Sequence, residues 1–179
     1  MGGGQGVGRG VDVTQVGEYV DWVSENNEVL AVVPREQMRR QRLRHRAVFV
    51  VTVDGQDRVV VHQRAAWKDV WPSAWDVCFG GVLSAGETWE VAARRELAEE
   101  AGLDDVLLAP LGGPFAFRDD QVCLLGQAYL VRTDEPVVAR DGEVVAVQHV
   151  ARSQLLGWSL TRAVCPDSLH CVLPLIVMG

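Results

Sequence analysis

Three glutamates in the middle of the chain have the side chains and the spacing that can hold a divalent cation. Glu99 and Glu100 follow Glu96 at three and four residues, so in a helix all three lie within about one third of the circumference. Carboxylates at these spacings repel one another, by about 0.2–0.5 kcal/mol per pair even in an exposed helix. Oxygen ligands without sulfur or imidazole suit Mg²⁺ or Mn²⁺. The alternative is a solvated acidic helix face.

The glutamates need a helix to hold them, and residues 87–101 are predicted to form it. Gly102 follows this segment and tolerates the left-handed backbone that often ends a helix. Arg95 can reach Glu99 one turn later, although one arginine does not neutralise the cluster. The opposite face is apolar and is expected to pack on a sheet; it carries Val91, Leu97, Ala98 and Ala101.

Residues 81–103 contain glycines, an arginine and glutamates in a fixed register, and this motif resembles the Nudix box. The matching positions are Gly81, Glu87, Arg95, Glu96, Leu97, Glu99, Glu100, Gly102 and Leu103. The resemblance implies an α/β protein with a Nudix-type α/β/α sandwich and a mixed β-sheet. It also implies a hydrolase that cleaves a diphosphate linkage in a nucleoside diphosphate-X or a related organic pyrophosphate.

The resemblance assigns a metal site to the matching residues. Glu96, Glu99 and Glu100 would bind one or more divalent ions, Mg²⁺ or alternatively Mn²⁺. The backbone carbonyl of Gly80, just before the first glycine of the motif, would be a further ligand. Metal ions in such a site bridge diphosphate oxygens and help activate a water for in-line attack on phosphorus.

The remaining positions of the motif support these ligands. Arg95 would orient a metal-binding glutamate, so that Arg95, Glu99 and Glu100 form the catalytic set within the motif. Glu87 would brace the preceding loop against the helix. The structural positions of the motif are Gly81, Glu87 and Gly102.

A general base outside the motif is expected from the resemblance, since many Nudix enzymes need one. Glu143, at the start of a predicted strand, is the first candidate, and Asp119 or Asp120 is the second. Ordinary surface acids in loops are the alternative interpretation of these residues.

Several cations are candidates for binding phosphate. Arg64 and Lys68 lie after a predicted strand, on the loop that leads into the motif, and are favoured for direct substrate contact. Arginine forks fit phosphate oxygens, so a run of arginines upstream predicts a phosphate-steering ridge, with a solvated helix as the alternative. This run contains Arg35, Arg39, Arg40, Arg42, Arg44 and Arg46, of which Arg46 is a candidate substrate-binding residue.

The segment before the motif resembles isopentenyl-diphosphate isomerase, a Nudix-fold enzyme that moves a double bond. Cys78 and His45 fall where the isomerase keeps its catalytic cysteine and a metal-binding histidine. Gly80, however, replaces a further histidine, and Gln121 stands where a carboxylate is expected. The intact Nudix box therefore favours hydrolysis, and a bacterial group that combines an isomerase-like front half with an intact box fits this chain. An isomerase and a non-catalytic ligand-binding module are the alternatives.

The composition of the chain indicates which binding partners and which cellular compartment to expect. The chain has 179 residues, a formal net charge of −7 and a pI of about 5.0, which disfavours nucleic acid as a partner. No apolar run approaches the roughly 18 residues that span a membrane. Four cysteines without CxxC pairs favour reduced thiols, and so a cytoplasmic protein. A small-molecule diphosphate is the expected partner, and the N-terminal strands could pair in a homodimer.

The remaining pattern predicts a flexible tail over residues 1–16 and a single domain over residues 17–179. An apolar run over residues 46–53 predicts a central strand buried on both faces, with residues 58–63 as its hairpin partner. Further strands are expected over residues 18–23, 28–33, 74–79, 106–111, 121–131 and 143–150, and further helices near 35–42, 152–157 and 167–177.

Overall fold

A computed structural model of the chain describes residues 18–139 and 142–178. Its central strand, β3 (His45–Val53), carries side chains that are buried on both faces of a mixed sheet. Ala47, Phe49 and Val51 pack in one hydrophobic cluster with the C-terminal helices. Val48 and Val50 pack in a second cluster with the helix that carries the glutamates. The predicted mixed sheet between helices is therefore confirmed.

The other described strands span Tyr19–Val23 (β1), Val29–Pro34 (β2), Arg58–Arg64 (β4), Trp75–Asp76 (β5), Ala109–Pro110 (β6), Phe115–Arg118 (β7), Cys123–Arg132 (β8) and Val144–Ala151 (β9). Seven of the strands, β3 to β9, form the mixed sheet. β3 pairs in parallel with β8, whose other neighbours β6 and β7 are antiparallel to it, and β4 pairs antiparallel with β5 and β9. A separate two-stranded sheet joins β1 and β2.

The predicted antiparallel β3–β4 hairpin is confirmed beside its turn, where Val53 pairs with Val59, but the pairing does not extend along the strands. Beyond that point they separate, and the segment after β5 lies beside β3 instead. The Val48 N–H donates to the Gly81 carbonyl at 2.9 Å, and the Phe79 N–H donates to the Val50 carbonyl at 2.9 Å. The start of the Nudix-like motif is thereby fixed against the central strand.

The glutamates lie on a helix that begins two residues later than predicted. α2 (Trp89–Glu96) starts after Thr88, whose side chain caps the Val91 N–H, and a π-helical turn (Leu97–Ala101) continues it. Gly102 ends the helix as predicted, with a φ of 68°. The buried face carries Ala92 and Ala93, whereas Val91 is exposed. Val91 lies nine residues before the buried Glu100, which at about 100° per residue places it on the opposite side of the helix.

Other elements differ from the prediction mainly in length. The strand predicted over residues 106–111 is reduced to β6, and β7 lies where a loop was expected. None of the helices described is long and apolar enough to cross a membrane. The predicted tail, residues 1–16, lies outside the described residues. The remaining helices are α1 (Arg35–Gln41), a 3₁₀ turn (Arg152–Gln154) leading into α3 (Leu155–Ser159), and a π-helical turn (Ser168–Val172) leading into α4 (Leu173–Met178).

Candidate active site

Arg95 joins the loop before α2 to the glutamates on it. Its Nε and Nη2 atoms donate to the two carboxylate oxygens of Glu87 at 3.0 and 2.9 Å. Its Nη1 atom donates to Glu96 at 2.8 Å and to Glu99 at 3.2 Å. Burial alone would raise the pKa of Glu87, but the hydrogen bonds from Arg95 and from the Ser84 N–H lower it overall. The arginine thus fixes two glutamates of the helix against a braced loop.

Two of the three glutamates are buried. Glu96 is 9% and Glu100 2% exposed, whereas the Glu99 side chain is 52% exposed. Burial, together with the charge of Glu96, raises the pKa of Glu100 to about 8. Burial also raises the pKa of Glu96, although Arg95 opposes this. Ionising two neighbouring buried acids is energetically costly unless a cation binds next to them.

This donor set fits a hard divalent cation. Glu96 and Glu100 supply carboxylate oxygens, and Gly80 lies beside them, because its N–H donates to Glu100 Oε2 at 3.0 Å. Oxygen ligands of this kind are those that Mg²⁺ and Mn²⁺ prefer. Within residues 18–139 and 142–178, no three acidic, histidine or cysteine side chains converge closely enough to hold a metal as they stand.

Glu96 and Glu99 line a cavity of about 240 Å³, called here the carboxylate cleft. Its walls combine anions and cations with backbone from the glycine segment. The lining residues are Glu18, Tyr19, Val20, Arg35, Lys68, Gly80, Gly81, Val82, Leu83, Ser84, Arg95, Glu96, Glu99 and Glu143.

The structure brings Lys68 and Glu143 together in this cleft as an ion pair. Glu143 lies just before β9, where its carbonyl accepts a hydrogen bond from the Ala65 N–H at 2.8 Å. The second candidates for the base do not line the cleft. Asp119 instead closes a turn, because its Oδ1 atom accepts from the N–H groups of Gln121 and Val122.

The other predicted substrate-binding residues divide between two places. Arg64, at the end of β4, lines a second, deeper cavity, and its Nη2 atom donates to the Val70 carbonyl at 3.2 Å. Arg46 lines neither cavity. Its guanidinium donates to Asn27 at 2.7 Å and to Asp21 at 3.2 Å. The β1–β2 hairpin thus engages its side chain, and substrate binding by Arg46 stays a prediction.

The deeper cavity, called here the inner cavity, has a volume of about 80 Å³ and adjoins the carboxylate cleft. The two share Arg35, Lys68 and the segment Gly80, Gly81 and Val82. Two acids that sequence reasoning missed, Asp76 and Asp167, line the inner cavity. They are 91 residues apart, and no local pattern relates them. The remaining lining residues are Arg39, His45, Ala47, Val48, Phe49, Arg64, Val70, Trp71, Cys78, Phe79, Val122 and Leu124.

Comparison with known proteins agrees with this site. The model of the NUDIX domain family matches residues 43–166, a span that contains α2 and its glutamates. The chain belongs to the Nudix family. It is 41% identical to the uncharacterized Nudix hydrolase YfcD of Salmonella typhi over 130 residues, which cover 73% of this chain and 70% of the relative.

Solved Nudix structures share the fold of this Nudix hydrolase. The crystal structure of DR0079 from Deinococcus radiodurans superimposes with a TM-score of 0.74 and 25% identity, covering 89% of this chain and 97% of that one. The NUDIX domain of NrtR from Shewanella oneidensis, solved as a complex with ADP ribose, superimposes with a TM-score of 0.59 and 18% identity, covering 74% and 85%. Nudix proteins generally use divalent cations.

The chemistry expected of the isomerase finds little support in this Nudix hydrolase. Cys78 is buried, and burial together with Asp76 raises the pKa of its thiol well above the usual value, so the thiolate is disfavoured. Burial lowers the pKa of His45 to about 4, and its Nδ1 atom lies 3.0 Å from the Leu43 carbonyl. Both side chains line the inner cavity as neutral groups.

Proposed function

We propose that this Nudix hydrolase depends on Mg²⁺, with Mn²⁺ as a substitute, and cleaves the diphosphate linkage of a nucleoside diphosphate-X or a related organic pyrophosphate. The observation that carries the proposal is the pair of buried carboxylates, Glu96 and Glu100. Glu96 lines a cleft whose other walls present Arg35 and Lys68, and Glu100 lies behind it against the Gly80 N–H. Buried acids of raised pKa next to phosphate-binding cations form a site for a metal and a diphosphate together.

The metal would be held by oxygens of Glu96, Glu99 and Glu100, with the carbonyl of Gly80 as a further ligand. When bound, a divalent cation offsets the charge that develops on the diphosphate oxygens and helps activate the attacking water. Arg95 holds Glu96 and Glu99 in place through its Nη1 atom.

Residues across the cleft would bind the substrate and accept the proton. Arg35 and Lys68 donate to phosphate oxygens, and Arg64 contributes from the inner cavity. Glu143 accepts a proton from the attacking water once Lys68 has turned from it to a phosphate, because the ion pair otherwise occupies its carboxylate. A small-molecule diphosphate is thus the proposed partner.

The experiment is a panel of candidate substrates with Mg²⁺, scored for released products. It includes ADP ribose, because the NrtR domain was solved with that compound, and also nucleoside triphosphates, dinucleoside polyphosphates, nucleotide sugars, coenzyme A and prenyl diphosphates. We expect metal-dependent cleavage between two phosphorus atoms of at least one compound. Double-bond migration without phosphate release would support an isomerase instead, and tight binding without turnover would support a binding module.

A further inference from the structure

Apart from the residues that it shares with the carboxylate cleft, the inner cavity contributes only Arg64 to the proposed hydrolysis. We infer that it is the subsite for the group X of the diphosphate, and that it takes a compact, uncharged group that presents an acceptor oxygen. This inference rests on the proposed function, because the diphosphate in the carboxylate cleft is what would deliver X to the cavity.

The size of the cavity restricts X. Its volume is about 80 Å³, against about 240 Å³ for the carboxylate cleft. Sites for whole drug-sized ligands usually measure roughly 300–1,000 Å³. A group of a few carbon and oxygen atoms fits the cavity, whereas a nucleoside does not fit without rearrangement of its walls.

The charges of the inner cavity are balanced internally, which disfavours an ionic X. Arg39 Nε lies 3.1 Å from Asp69 Oδ2, and Asp76 faces Arg64 closely enough to raise the pKa of the guanidinium. Asp76 Oδ1 already accepts hydrogen bonds from Ser168 Oγ at 2.6 Å and from the Cys78 thiol at 3.3 Å. A cationic X would meet a carboxylate that already has partners, and an anionic X would lie beside Asp76.

Two donors remain in the inner cavity for an acceptor on X. The buried Nε atom of Arg64 has no hydrogen-bond partner among the described residues. Asp167 lines the cavity and accepts from the Ser168 N–H through Oδ1 at 2.7 Å, and its protonated form is the second donor. Burial, then the charge of Asp76, raises the pKa of Asp167 to about 8. The other titratable groups around Asp167 are Cys78, Cys165, Cys171 and Arg64.

The walls of the inner cavity suit the carbon part of such a group. Phe49, Val122 and Leu124 are buried and apolar. Trp71 completes the wall with a φ of 46°, a conformation that bulky residues rarely adopt. Strain of this kind occurs where the surrounding structure holds a side chain in a required place.

The test compares three probes: 3-oxobutyl diphosphate, butyl diphosphate of nearly equal size without the carbonyl, and ADP ribose. At pH 7 we expect the KM for the oxobutyl compound to be about 10-fold below that for the butyl compound, as one or two hydrogen bonds provide. Asp167→Asn keeps a donor at every pH, so it should preserve the full preference at pH 9, where the wild type keeps only the part that Arg64 provides. Asp167→Leu should show that reduced preference at both pH values.

A cavity-filling substitution gives a readout that does not depend on titration. Val122→Phe should raise the KM for both short compounds at least 10-fold. If this variant has a Tm far below that of the wild type, Val70→Phe replaces it and should have the same effect on KM. The inference is overturned if the two short compounds have equal KM values, if Asp167→Leu keeps the full preference, or if ADP ribose is preferred and insensitive to the filling variants.

Calorimetric binding of the same probes separates this inference from the proposed function. If no probe releases phosphate but the oxobutyl compound still binds more tightly, with the expected response to Asp167→Asn, hydrolysis fails and the subsite stands. If nucleotides are hydrolysed and neither short compound binds in the inner cavity, the subsite fails and hydrolysis stands.

Discussion

Oε2 of Glu100 accepts a 3.0 Å hydrogen bond from the backbone N–H of Gly80, which ties the last turn of the glutamate-bearing helix to the segment beside β3. Gly80 has no room for a side chain, since a Cβ there would lie 2.0 Å from the Val48 carbonyl oxygen, and its φ is +146°. The position of one buried carboxylate therefore depends on a close approach of two backbones.

Gly81 provides the sharper test of this packing. A Cβ at that position would lie 2.6 Å from Glu96 Oε1, so Gly81→Ala should displace the Glu96 carboxylate. We expect kcat to fall at least about 10-fold with a lower Tm, measured by product release and thermal melting. Gly113→Ala is the matched control, because no heavy atom lies within 4 Å of a Cβ there. Wild-type kcat in Gly81→Ala would contradict the proposed role of Glu96.

Neutral replacements of the two remaining glutamates test their charge directly. Glu99→Gln and Glu100→Gln should each lower kcat by about 10²–10³. The Tm should stay near that of the wild type, because the Glu99 side chain is 52% exposed and Glu100, whose pKa burial raises to about 8, is largely neutral at pH 7 without a metal. Glu90→Gln is the control on the same helix, because Glu90 is exposed and pairs only with Arg94 among the ion pairs of that helix face. Equal kcat values in all three variants would exclude the glutamates from the reaction.

Arg95 should be intolerant even of lysine. A lysine cannot reproduce the two parallel bonds to Glu87 together with those to Glu96 and Glu99. Losing a residue that orients the metal ligands without binding the metal itself typically costs about 10–100-fold in metal affinity or activity. We expect that loss for Arg95→Lys in Mn²⁺ titrations and in kcat, and close to none for Arg94→Lys, whose parent side chain pairs with Glu90.

Stability should fall between pH 6.5 and 8 because of Asp167. Its pKa is raised to about 8 in the folded chain, so the protonated form stabilises the fold at low pH and that contribution is lost as the pH rises towards 8. The slope is about 1.4 kcal/mol per pH unit, or roughly 2 kcal/mol over this window. Below pH 6.5 the buried His45 and His62, whose pKa values burial lowers to about 4, oppose the trend.

Denaturant unfolding of wild type and Asp167→Asn at pH 6.5 and 8.5 checks this expectation. Both proteins contain Glu100, whose pKa is also raised to about 8, so the difference between them isolates Asp167. The asparagine variant should lose less stability over the window. Identical losses would show that Asp167 is not held as a neutral acid.

The glutamate-bearing helix was predictable because its signals are local. The spacing of Glu96, Glu99 and Glu100 and the glycine at position 102 lie within seven residues, and the structure keeps them on one helical segment. The start of that helix was less predictable, because Thr88 caps it and the helix therefore begins at Trp89.

Long-range pairing limited the rest of the prediction. The apolar pattern of β3 indicates burial but does not name its neighbours, which are β8, about 80 residues along the chain, and the glycine segment. For the same reason Lys68 and Glu143 could be proposed separately but not as an ion pair. Asp76 and Asp167 come together because the segment before the C-terminal helices lies beside β5, where Trp75 forms a bridge with Val164 and Ser168 Oγ donates to Asp76 Oδ1.

The central claim is that Glu96, Glu99 and Glu100 hold a divalent ion against a diphosphate. Crystals soaked in MnCl₂ and methylenediphosphonate, measured for anomalous scattering at the manganese edge, test it most directly. We predict a peak about 2.1 Å from oxygens of these glutamates, with the diphosphonate between the peak and Lys68. A manganese peak elsewhere, with the three carboxylates apart and the diphosphonate bound at another surface, would contradict the account.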